Sequence, residues 1–100
     1  MHVRIRTFEA SAERLDQVVA FFRDAVVQRF SQHEGFVGYQ ALVDRSRGRV
    51  VGISWWTTLA ALEASGATAQ RSLHEAEGLG AITLGDAQIL EVGVDTLALC

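Results

Sequence analysis

Phe36-Val37-Gly38-Tyr39-Gln40-Ala41-Leu42-Val43-Asp44-Arg45-Ser46-Arg47-Gly48-Arg49-Val50-Val51-Gly52-Ile53-Ser54-Trp55-Trp56 is the stretch that decides the fold. Two runs rich in β-branched and aromatic residues, Phe36 to Val43 and Val50 to Trp56, flank the short polar turn Asp44 to Gly48. That pattern reads as an antiparallel hairpin. Both faces of the hairpin carry large groups. Val37, Tyr39, Ala41 and Val43 alternate with Phe36 and Leu42, and Val51, Ile53 and Trp55 lie opposite Val50 and Trp56. Trp55 and Trp56 are neighbours on one strand and so point to opposite faces.

Upstream of the hairpin, Leu15, Val18, Val19, Phe22, Val26 and Phe30 form one apolar stripe over four helical turns. Ser11 stands at the N-cap position, Glu13 and Asp16 follow in the first turn, and Gly35 can take the left-handed position that ends the helix. Arg29 and His33 suit its negative end. Before that helix, residues 2–9 alternate as a half-buried strand, with Val3, Ile5 and Thr7 on one side and His2, Arg4 and Arg6 on the other. Downstream, Thr57 or Thr58 caps a helix carrying Leu59 and Leu62. After a break at Ser65-Gly66, a second helical piece runs from about Ala67 to Glu77 and is ended by Gly78. A loop to Asp86 leads into a last strand, Gln88 to Val94. The order β-α-β-β-α-β gives an α+β, ferredoxin-like domain: a four-stranded antiparallel sheet with two helices on one face.

One hundred residues make one domain, 1–100, with a core at about 2–95 and a tail at 96–100. At 49% apolar and 21% charged residues the chain is globular. A net charge of −3 steers it toward neither nucleic acid nor an acidic membrane, and no apolar run approaches the ~20 residues of a membrane span. The single cysteine, Cys100, makes no internal disulfide and no metal-ligand spacing. The charged, alternating N-terminus is no signal peptide, so the expected compartment is the cytoplasm. Helices cover one face of the sheet only. The other would be a large exposed apolar patch, which a second copy stacking its own sheet would bury; a homodimer is therefore expected.

Gly35 to Gln40, the turn Asp44 to Gly48, the strand end Ser54-Trp55-Trp56, the helix with Leu59 and Leu62, and Glu91-Val92 together resemble the antibiotic biosynthesis monooxygenase (ABM) superfamily, over residues 2–95. The resemblance implies a dimeric α/β barrel. It also implies one of several roles, because some members oxidise aromatic polyketides with O₂ and neither metal nor flavin, and others degrade haem. The haem branch's first-strand asparagine and second-helix tryptophan fall at about Thr7 and Ser65, and its iron-binding histidine at His74. Only the histidine is matched, and the chain contains no asparagine anywhere. The polyketide branch implies a pocket for a flat phenol, with an aromatic wall and a group that takes the phenol proton.

The candidate site residues follow. His74 is the candidate catalytic base, and Trp56, Tyr39, Thr7 and Phe22 are the candidate walls for a small aromatic ligand. Each has a plainer reading beside it: His74 as a surface histidine, Trp56 and Phe22 as packing, Tyr39 as a structural hydrogen bond, Thr7 as a strand residue. Arg4 and Arg6 suit either an anion site at the rim or salt bridges to a partner. His33-Glu34 and His74-Glu75 do not extend to HExxH, and the chain has no glycine-rich nucleotide loop and no Ser/His/Asp set. No metal and no cofactor are expected. The leading functional expectation is cofactor-independent oxygenation of an aromatic substrate. A non-catalytic binding or dimerisation domain is the alternative, and haem binding the third.

Overall fold

The computed structural model describes residues 1–97; Cys100, at the end of the expected tail, lies outside them. Four strands, β1 (His2–Glu9), β2 (Phe36–Asp44), β3 (Arg49–Trp56) and β4 (Ile82–Glu91), form one antiparallel sheet in the order β2-β3-β1-β4. Helices α1 (Ala12–Phe21) and α2 (Val27–Ser31) are joined without a break by a π-helical turn (Phe22–Val26). Helices α3 (Leu59–Ala64) and α4 (Gly66–Gly78) follow β3. The ferredoxin-like α+β fold is the one expected from the element order.

The π turn has a cause in the spacing of the stripe. Val18, Phe22, Val26 and Phe30 recur every four residues, and all are buried. An α-helix advances about 100° per residue, so each four-residue step overshoots by about 40° and the stripe would wind off the sheet. The wider π turn at Phe22–Val26 returns Phe30 to the same face. There Phe30 meets Trp56 edge-on, with ring centroids 5.5 Å apart. Fully burying each such aromatic contributes about 1.5–3 kcal/mol.

Gly35 turns the chain from α2 into β2. Its φ of 86° is left-handed, its carbonyl accepts the Thr57 N–H at 2.8 Å, and a Cβ there would meet Ala61 and Thr57. The Thr58 hydroxyl caps α3 by accepting the Ala61 N–H at 3.1 Å. Ser11 flanks α1 in extended conformation but makes no side-chain cap bond. α4 ends at Gly78, and the left-handed residue after it is Gly80, with φ 103°.

Two strand expectations are corrected. β4 begins at Ile82, six residues earlier than expected, because it pairs along nearly all of β1. Between Ile5↔Gln88 and Thr7↔Leu84, two steps on β1 face four on β4, so a bulge absorbs the segment read as a loop. The second is on β2, where Phe36 and Tyr39, read on opposite faces, share one; on β1 the two faces alternate as expected, and the structure shows which of them meets the helices. The helix-facing side of β1 carries Arg4, Arg6 and Phe8, while Val3, Ile5 and Thr7 look away from the helices. Phe8 packs on Phe22, with centroids 5.2 Å apart, and the Arg4 guanidinium reaches the α3–α4 junction. On β3 the same side holds Val50, Gly52, Ser54 and Trp56, and a register shift between Phe36 and Gly38 brings Phe36 and Tyr39 to that side of β2. Of the two tryptophans, Trp56 therefore faces the helices, fully buried, and Trp55 faces the open side of the sheet.

Candidate small-molecule site

Between sheet and helices lies a cavity of about 210 Å³. The π turn and α2 supply Phe22, Val26 and Phe30. α4 supplies Gly66, Ala69, Gln70, Ser72 and Leu73. β1 supplies Arg4, Arg6 and Phe8, β2 supplies Tyr39, and β3 supplies Gly52 and Ser54. Ala87 of β4 completes the wall, with exposed Gln70 at the rim. Most of the wall is apolar; Arg4, Arg6, Tyr39 and Ser54 bring polar groups from the sheet, and Gln70 and Ser72 from α4.

Tyr39 stands among aromatic rings, with centroids 6.3 Å from Phe22 and 6.2 Å from Phe30. Its hydroxyl occupies the space that a side chain at position 52 would take, so Gly52 leaves room for it. Burial pushes the Tyr39 phenol well above its usual range, because the phenolate would be charged in a largely apolar setting. The Ser54 hydroxyl accepts the Trp56 indole N–H at 2.9 Å and keeps its own proton to donate.

Arg4 enters the wall from β1, 9% exposed. One terminal nitrogen donates to Ser65 Oγ at 3.1 Å and the other to the Leu62 carbonyl at 2.8 Å. Ser65 Oγ in turn donates to the same carbonyl at 2.6 Å. This cluster ties the α3–α4 break to the sheet. Desolvation, then the neighbouring Arg6 charge, pushes the Arg4 guanidinium down from its usual range. Arg6 donates to the Gly85 carbonyl at 3.1 Å, across the β4 bulge. Among the described residues no Asp, Glu or His lies on the cavity wall. Among the described residues no three His, Cys, Asp or Glu side chains cluster as metal ligands, and no helix is long and apolar enough to cross a membrane.

The structure brings together some of the expected site residues and separates others. Tyr39 and Phe22 share the wall. Trp56 does not reach it: with no exposed surface, it packs behind Phe30 and Phe36 and beside the His33 ring, which itself bonds to Thr68. Thr7 is on the opposite, open face of the sheet, because β1 presents its even-numbered residues to the helices. His74 lies outside the cavity. It follows buried Leu73 on α4, and one residue rotates a side chain about 100° around the axis. Its exposed ring bonds to Gln70 at 3.2 Å and lies 3.5 Å from the Glu77 carboxylate. The Ser65-Gly66 break aims Gly66, Ala69 and Leu73 at the cavity instead. Ser54, Gln70 and Ser72 were not in the sequence-derived site, and Arg4 and Arg6 were read there only as a rim anion site or as salt-bridge partners for a second copy. The signal that placed the two arginines on the wall was the parity Arg4, Arg6, Phe8, since a strand side ending in a phenylalanine can be the packed one.

The family model for antibiotic biosynthesis monooxygenases matches residues 1–75. Two uncharacterised proteins of Mycobacterium tuberculosis are 38% and 35% identical to this chain over 65 residues. That stretch is 65% of this chain but only 28% and 29% of theirs, so the chain corresponds to under a third of their length. Among solved structures, SnoaB, a cofactor-independent oxygenase from Streptomyces nogalater, superposes with a TM-score of 0.71 at 15% identity, covering 95% of each chain. A Streptomyces coelicolor monooxygenase in complex with Nanaomycin D gives 0.71 at 18% identity, over 96% of this chain and 90% of that one. The haem degrader MhuD of M. tuberculosis gives 0.69 at 19% identity, over 96% and 99%. At these identities the superpositions speak to the fold. With the family match over three quarters of its length, this chain belongs to the antibiotic biosynthesis monooxygenase family.

Proposed function

We propose that this chain works as a homodimer whose cavity holds a small aromatic compound and oxidises it with O₂, the substrate itself supplying the electrons. The observation that carries this reading is the wall itself: Phe8, Phe22, Phe30 and Tyr39 surround the space, with hydroxyl and guanidinium donors converging from the sheet. Such a wall suits a ring bearing one or two oxygens. Ligand cavities commonly start at about 300 Å³, so one of about 210 Å³ suits one or two rings of a polyketide-type phenol. In the proposed reaction a ring carbon bearing two hydrogens becomes a carbonyl, one oxygen atom of O₂ enters the product and the other leaves as water. Donors on the sheet would steady the negative oxygen that forms when the phenol, or the ketone tautomer that carries the CH2 carbon, loses its proton.

The second reading is a binding domain without catalysis. The absence of Asp, Glu and His from the wall favours it, since no side chain there is an ordinary general base. Oxygen uptake separates the two. Anthrone-type and naphthol-type phenols are titrated by fluorescence, and those that bind are followed with an oxygen electrode. Uptake of one O₂ per molecule converted, lost in Tyr39→Phe or Ser54→Ala, supports the oxygenase. Tight binding with no uptake leaves the binding domain.

The dimer rests on the open face of the sheet. Ile5, Val51, Ile53 and Trp55, all half-buried, line it between Leu42 and Leu90, which are about half exposed; Val3 on the same face is already buried. Light scattering should return twice the chain mass of 10.9 kDa, and Leu42→Glu should lower it toward one chain. A single-chain mass for the unaltered protein at micromolar concentration would end the dimer reading.

A further inference from the structure

Of the nine arginines in the chain, six have a carboxylate within ion-pair distance: Arg23, Arg29, Arg45, Arg47, Arg49 and Arg71. Arg14 stands in water at the surface. The remaining two, Arg4 and Arg6, are the pair on the cavity wall, and among the described residues neither has an acidic partner. Their hydrogen-bond acceptors, Ser65 Oγ and the Leu62 carbonyl for Arg4 and the Gly85 carbonyl for Arg6, are all neutral.

This arrangement is costly for an empty cavity. Arg4 is a buried cation without a counter-charge and carries a desolvation penalty that arginine does not escape by losing its proton, while Arg6 beside it is half-buried. Burial first, and then the like charge of Arg6, disfavour the charged form of Arg4. The dipoles of the neutral acceptors offset part of this. Arg4 uses two of its N–H groups on them, which leaves others for a ligand. Low-dielectric aromatic walls concentrate the positive potential inside the cavity. The pair lies on the helix side of the sheet, so a second copy stacked on the open face would not bring a carboxylate to it.

We propose that the cavity selects its ligand as an anion: a one- or two-ring aromatic whose negatively charged oxygen group sits against the Arg4 and Arg6 guanidiniums. This rests on the cavity being a binding site, as proposed above, and adds the charge of what it binds. It also gives ionisation of a weakly acidic substrate a cause on a wall without a general base. Two fixed cations favour the deprotonated oxygen, and the proton leaves to water.

The test uses two probes of one shape and different charge, 2-naphthoate and 2-naphthamide, titrated calorimetrically into the full chain near neutral pH and at low salt. The expected result is naphthoate bound at least roughly ten-fold more tightly, in keeping with a charge-assisted contact. Arg6→Gln, which leaves the Arg4 anchor in place, should bring that ratio toward one. Arg4→Gln should do the same where it folds. Equal affinities, or tighter binding of the amide, overturn the anion inference and leave the cavity as a site for neutral aromatics. No binding of either probe at millimolar concentration removes the cavity reading as well. A ratio unchanged by Arg6→Gln, in a folded variant, also overturns the role given to the pair.

Discussion

Tyr39 is held from three sides, and the tightest is Gly52. A methyl group at position 52 would overlap the Tyr39 hydroxyl, lie 3.3 Å from its Cζ and 3.9 Å from its Cε2. The ring has little freedom to swing away, because Phe22 and Phe30 flank it at 6.3 and 6.2 Å between centroids. Gly52→Ala therefore overpacks the site, at a cost of about 1–3 kcal/mol. Replacing a strand glycine returns about 0.5–1 kcal/mol of backbone entropy. The net expectation is a loss of about 1–2 kcal/mol, and in a domain of this size each kcal/mol lowers the melting temperature by about 4–8 °C. Tyr39→Phe removes the overlapping atom and leaves only the closer ring contact, so Gly52→Ala in the Tyr39→Phe background should recover at least half of the loss. The coupling between the two sites should be about 1 kcal/mol, well above that of distant pairs. Thermal unfolding of the four proteins is compared at one chain concentration, because association would otherwise shift the midpoints. Gly52→Ala melting with the unaltered protein, or a double variant no more stable than Gly52→Ala, would refute the placement of the hydroxyl over residue 52.

Further outcomes follow from the same packing. Trp56→Ala empties the space behind Phe30 and Phe36 and should cost about 3–5 kcal/mol by urea denaturation. That is a large share of the ~5–15 kcal/mol that holds a domain folded, so Trp56→Phe is the variant to carry into binding assays. Tyr39 is the only tyrosine in the chain, so tyrosinate absorbance reports it alone. Its folded pKa is raised above the unfolded value of about 10. The stability this burial contributes is full below pH ~10 and is lost as pH rises beyond it, so tyrosinate should appear together with unfolding; ionisation at pH ~10 in a chain still folded by circular dichroism would contradict the burial. His74→Ala should leave naphthoate binding unchanged, since the ring touches only the outer Gln70 and Glu77. A Soret shift on adding hemin that His74→Ala abolishes would instead show that this histidine serves a haem.

The hairpin and the helix stripe were legible because each is written in a strong local period. Val50 to Trp56 and Leu15 to Phe30 bury the residues their spacing marks, and Thr58 and Gly35 end elements as their chemistry allows. β4 was not legible at its start, because Gly80, Gly85 and Asp86 read as loop residues. The pairing of β1 then holds Ile82 to Leu84 in the sheet and confines the glycine to a bulge. The π turn was hidden because its signal is a slow drift in the stripe, not a residue type.

The site was harder to read for a physical reason. On β1 the β-branched residues Val3, Ile5 and Thr7 alternate with charged ones, and in a sheet with one solvated face that pattern would put the arginines in water. Here neither face is simply wet: one carries the helices and the other is itself apolar. Which side of β1 meets the helices is then decided at the strand's ends, where Phe8 packs on Phe22 and His2 pairs with Trp56 in the register. Those contacts carry Arg4 inward, and the unwound α3–α4 junction supplies the Leu62 carbonyl and Ser65 hydroxyl that make its burial tolerable. A core built for stability alone would place leucine at position 4 and close the cavity. Retaining a cation there, beside a second one and facing an aromatic space, sets the chemistry of the cavity apart from that of the core around it.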